Sequence, residues 1–142
     1  MEQRDFLLRE IEKIEVMLKT LLNSLLPKFL SNKDNIAITD EKQTDNAKVM
    51  LNEETGFDLD KYLHLNTADS NEYISGFKGF SVENIELLAE CVFQIGLNDT
   101  SDNSGKYLEK ALQLYELCNT KSKTYSLERE EKMQTIMNIL QH

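Results

Sequence analysis

One proline and five glycines in 142 residues leave too few turn formers for a protein built from many short strands, so an all-β architecture is excluded. Tryptophan is missing altogether, and histidine and cysteine occur twice each. His64, Cys91, Cys118 and His142 are spread singly along the chain, without the close pairs of a zinc site. No glycine loop that cradles a phosphate and no Gly-x-Ser-x-Gly elbow is present. Long apolar runs are also lacking. Val16 to Leu30 contains two lysines, an asparagine and a proline, well short of the ~20 apolar residues that span a bilayer. The order of segments a signal peptide needs is missing too, and with two lone cysteines this points to reduced thiols in a cytoplasm.

Positive charge is scarce. The formal charge is −9, with 16 Lys and Arg against 25 Asp and Glu. Residues 1–31 are neutral, with five acids and five bases, and the excess acid lies beyond them. Without a basic stripe the chain suits neither nucleic acid nor an anionic membrane surface, because neutralised phosphate supplies most of that affinity.

What the chain does have is helical periodicity. Leu7, Ile11, Ile14, Leu18, Leu21 and Leu25 alternate at spacings of four and three, an unbroken heptad seam on a helix from Asp5 to about Leu26. Pro27 is placed to end or kink that helix. Met17, Leu22, Leu26, Phe29 and Leu30 add apolar surface outside the seam, which asks for a second neighbour: more of this chain, or a second copy of it. The seam therefore anchors either the core or a protein partner.

After a polar stretch at 31–35, Thr39 or Asp40 opens a second helix to about Glu54, with Gly56 to terminate it. Asp58 caps a short helix from Leu59 to about Leu65, presenting Leu59, Tyr62 and Leu63. Residues 66–80 read as mostly loop with a helical turn at Glu72 to Ser75, closing on Gly76-Phe77-Lys78-Gly79-Phe80. Ser81 caps a central helix from Val82 to about Leu97. A polar turn follows, with Asn103 or Ser104 capping a helix that runs from Lys106 to about Asn119. A last helix spans about Ser126 to Leu140, with Met133, Ile136, Met137 and Leu140 in one stripe. The expectation is an all-α, irregular bundle of about five to six helices in one domain, 1–142, with a long N-terminal helix over 1–31.

Leu88-Ala89, Val92 and Gly96, followed by Leu108-Glu109-Lys110-Ala111-Leu112, are similar to the two helices of one tetratricopeptide hairpin, placing it at the start of the segment 81–142. Over most of its length the chain resembles an uncharacterised bacterial family of all-helical, tetratricopeptide-like proteins. That resemblance rests on Gln3-Arg4-Asp5-Phe6, Glu54-Thr55-Gly56-Phe57-Asp58-Leu59, Leu87-Leu88-Ala89-Glu90 and Glu109-Lys110-Ala111-Leu112. It implies a fold and no activity.

No residue set forms a catalytic, cofactor or metal constellation by spacing. The leading expectation is thus a non-catalytic, cofactor-free protein–protein interaction module, able to pair with itself through the first helix. A pocket near Phe77, Phe80 and the acids of 53–60 is the alternative, for a small ligand or a substrate. A third reading makes Asn98, Thr100, Asp102 and Glu109 ligands of a weak calcium turn, although Asn103 stands where such a loop needs glycine.

Overall fold

A computed structural model describes the backbone of residues 2–26 and 40–141, and the side chains of 5–26 and 42–141. Pro27, Phe29, Leu30, the polar stretch 31–35, Thr39 and His142 lie outside the described residues. Within them the chain is all helix: α1 Glu2–Leu25, α2 Asp40–Thr55, α3 Leu59–Leu63, α4 Thr67–Ser75, α5 Val82–Asn98, α6 Ser104–Ser122 and α7 Leu127–Leu140. None is long and apolar enough to cross a membrane.

Local chemistry sets the helix ends. Asp58, Asn66, Ser81 and Ser126 each accept a hydrogen bond from the backbone N–H three residues on, at 3.1, 2.8, 3.3 and 3.2 Å. Gly56 stops α2 in the left-handed region, at φ 82°, where a side chain would be strained. Asn66 accounts for the helix missing from the sequence reading. Its cap makes Thr67–Ser75 a full helix, α4, where a loop and one turn were expected. The start of α6 also differs. Asn103 makes no side-chain cap bond; Ser101 Oγ accepts the Asn103 N–H instead, and Ser104 Oγ donates back to Gly96 O at 2.8 Å.

One core joins all seven helices. The α1 and α5 axes run in the same direction, fixed by three side-chain donors on α5 that reach carbonyls of α1. They are Asn84 to Ile11 at 3.0 Å, Cys91 to Leu18 at 3.6 Å and Asn98 to Leu25 at 3.4 Å. Each step is one heptad on both helices, so the register holds along their shared length. Gly79, just before α5, passes so close to α1 that a Cβ there would collide with Ile14 Cδ1. On the other side of α5, α6 folds back as a hairpin partner, and Gly96 admits it: a Cβ would sit 3.0 Å from Leu108 Cδ2. Two ion pairs then dock α7 on α5. Arg129, 6 % exposed, grips Glu86 through Nε at 3.0 Å and Nη2 at 2.6 Å, and Lys132 pairs with Glu90.

Candidate functional site

The seam of α1 divides in two. Ile14, Leu18, Leu21 and Leu25 are buried inside their own domain, and Met17 and Leu22, expected to need a second neighbour, pack there as well. Ile11 is half-buried, and Leu7 is 37 % exposed. Beside Leu7, Phe6 and Leu8 are 72 % and 50 % exposed. Successive residues on a helix lie about 100° apart, so these three cover more than half of its circumference. The first turns of α1 thus extend beyond the body of the domain as an apolar stub. They carry Asp5, Arg9 and Glu12 as exposed polar neighbours.

The ring cluster that the pocket reading depends on is filled by its own side chains. Phe57, fully buried, lies 5.5 Å from Phe77 and 5.8 Å from Phe80, centroid to centroid, and Phe77 and Phe80 are 5.8 Å apart. Tyr62 and Tyr73 complete the cluster at 5.1 and 5.4 Å from Phe57. The acids of 53–60 point the other way: Glu53, Glu54, Asp58 and Asp60 are all exposed, and Lys48 holds Asp60 at 3.0 Å.

At the turn between α5 and α6 the proposed calcium ligands diverge. Asn98 turns its amide towards Leu25 of α1, while Asp99 Oδ1 accepts the Ser101 N–H at 2.6 Å. Glu109 is exposed on α6. Among the described residues no group of three or more His, Cys, Asp or Glu side chains is gathered as a metal site requires. A polar cleft of about 320 Å³ opens there, lined by Thr44, Asp45 and Lys48 of α2, residues of the turn, and Tyr107. His64 is exposed as the C-cap of α3. Both cysteines are buried, and burial pushes each thiol up to about 12. They are packing residues rather than nucleophiles.

The sequence reading missed two buried cations. Lys110 is 4 % exposed, and its ammonium donates to Leu65 O, Ser70 Oγ and Gln113 Oε1. It also lies 5.2 Å from the centre of the Tyr62 ring. Burial lowers its pKa, against the opposing pull of Glu109. The only sequence signal was its place: it sits between Tyr107, Leu108, Ala111 and Leu114, on the buried arc of α6. Arg129 occupies the same kind of position on α7, next to Met133 and Ile136. Ser70 and Lys110 are too deeply enclosed for a substrate to reach, so their contact ties α4 to α6 and offers no reaction.

A second open surface lies between α1 and α7. The α5 positions 84, 88, 91 and 95 face α1, and 85, 89, 92 and 96 face α6; all are buried. The third stripe, Glu83, Leu87, Glu90, Gln94 and Leu97, remains half-buried or exposed. Above it is a groove of about 340 Å³, walled by Glu15 and Lys19 of α1 on one side, and by Ser122, Thr124 and Arg129 on the other. Set against family models, curated proteins and solved structures, the chain shows no significant match to any of them.

Proposed function

We propose that this chain is a cytoplasmic, non-catalytic protein–protein interaction module of the tetratricopeptide-like helical kind, and that it pairs with itself through the free end of α1. The observation that carries this reading is the apolar stub of Phe6, Leu7 and Leu8, which nothing in its own domain covers among the described residues. Exposed contiguous apolar surface favours a partner, because each buried Å² returns about 25 cal/mol. Charge supports a second copy as that partner. Two chains of net charge −9 repel over most of their surface, and the neutral segment 1–31 is where they approach at least cost.

Sedimentation velocity over a hundredfold dilution tests the reading. Wild type should shift from dimer to monomer on dilution, while Phe6→Ser with Leu8→Ser stays monomeric with an unchanged circular dichroism spectrum. A wild-type chain that sediments as a monomer throughout overturns self-pairing. A dimer indifferent to both substitutions removes the stub from the interface.

A further inference from the structure

We infer that the groove between α1 and α7, floored by α5, receives an amphipathic helix whose apolar stripe is flanked by lysine or arginine. This is a surface distinct from the stub, and the inference does not depend on self-pairing.

Geometry supplies the slot. The α1 and α5 axes are parallel, with a constant offset of 73 residues between bonded partners. The Arg129–Glu86 and Lys132–Glu90 pairs, at offsets of 43 and 42, make α7 parallel to α5 as well. Three aligned helices with the middle one exposed along a stripe form a trough that a fourth helix fills, as in helix-in-groove recognition. The stripe carries apolar side chains towards its two ends. Val82 and Leu87 are half-buried at its upper end, and Leu97 is 46 % exposed at its lower end. Carried down from Lys132 and Glu90, the α7 register brings Ile139, 37 % exposed, level with Leu97. An incoming helix therefore meets apolar side chains at Val82 and Leu87 and again, beyond Glu90 and Gln94, at Leu97 and Ile139.

Charge supplies the sign. Glu15, Glu83, Glu86 and Glu90 line the groove; Lys19, Arg129 and Lys132 pair with Glu15, Glu86 and Glu90, which leaves one acid, Glu83, in excess. Glu83, exposed at the first turn of α5, makes no ion pair among the described residues. A basic helix gains there by steering and by pairing, whereas a second copy of this acidic chain does not.

The probe is an 18-residue helical peptide with leucines at i, i+3, i+4 and i+7 flanked by arginines, compared with its glutamate-flanked twin by fluorescence anisotropy. The arginine peptide should bind and the twin should not. Glu83→Lys should weaken the arginine peptide about tenfold, and Leu87→Gln by a similar factor, with melting curves showing both variants folded. Glu53→Lys makes the same change of net charge on the exposed face of α2 and should alter binding less than about twofold. The proposal is overturned if the arginine peptide fails to bind. It is equally overturned if Glu53→Lys weakens binding as much as Glu83→Lys, which would mean attraction to the acidic surface at large.

Discussion

The side-chain amide of Asn84 donates to the carbonyl oxygen of Ile11 at 3.0 Å and to that of Gly79 at 2.8 Å. One buried amide thereby fixes the height of α1 against both the start of α5 and the turn before it. What marks this level off from those of Cys91 and Asn98 is the second bond, to Gly79, which ties the turn before α5 into the same contact. Replacing Asn84 with leucine, similar in size but without the donor, strands the Gly79 carbonyl inside the protein. Urea unfolding should show a loss of about 1–3 kcal/mol, the usual consequence of a buried group left unpaired.

Gly79 is required for a different reason. Gly79→Ala would drive a methyl group into Ile14 Cδ1 and to within 3.0 Å of Glu10 Cγ. Overpacking of this kind costs about 1–3 kcal/mol. The clash is mostly with one terminal methyl, so Gly79→Ala combined with Ile14→Val should recover part of the loss. A double-mutant cycle on melting temperature reads the coupling directly.

Arg129 holds three helices. Besides Glu86 it donates from Nη1 to Asn119 Oδ1 at 2.7 Å, linking α7 to both α5 and α6. Arg129→Ala leaves the Glu86 carboxylate in a half-buried site without its cation, and about 3 kcal/mol of stability should disappear. Amide hydrogen exchange should show the loss first in α7, because the core below it does not depend on the pair.

Alkaline pH should unfold the protein early. The thiols of Cys91 and Cys118 have an ordinary value of 9.0 and are raised by burial to about 12 in the fold. Folding favours their neutral form. Their contribution is complete below pH 9 and is lost as pH rises towards 12. Tyr62 and Tyr115 shift upward through burial as well and act in the same direction above their ordinary value of 10.0. Lys110 opposes them. Its pKa is lowered from 10.5, so burying its charge opposes folding at neutral pH, and that penalty lifts as pH rises through the folded value towards 10.5. The urea midpoint of wild type should therefore fall above pH 9. The fall should be shallower when both cysteines are alanine and steeper in Lys110→Met.

The sequence shows much of this fold because apolar spacing and cap residues are local signals. The buried faces of α3, Leu59, Tyr62 and Leu63, and of α5, Ile85, Leu88, Ala89 and Val92, could be read from periodicity alone. The Gly56 stop and the caps at Asp58 and Ser81 are legible from residue type, whereas Ser126, expected as the first residue of the last helix, is its cap. What periodicity could not show depends on which neighbour arrives. Thr67–Ser75 has few apolar positions, so its helix was visible only through the Asn66 cap. Lys110 and Arg129 look like ordinary surface cations until α4 and α5 close over them. Whether α1 used its seam internally or externally was likewise undecided from spacing. The fold divides it, enclosing Ile14 to Leu25 and leaving Phe6, Leu7 and Leu8 outside. The groove was invisible in the sequence because its walls come from helices more than a hundred residues apart.

Native mass spectrometry of the undenatured protein is the most direct test of the central claim. Self-pairing through the α1 stub predicts a species of twice 16.5 kDa that collapses to 16.5 kDa when Phe6 and Leu8 are both serine. A lone 16.5 kDa wild-type species at every concentration sampled would contradict it.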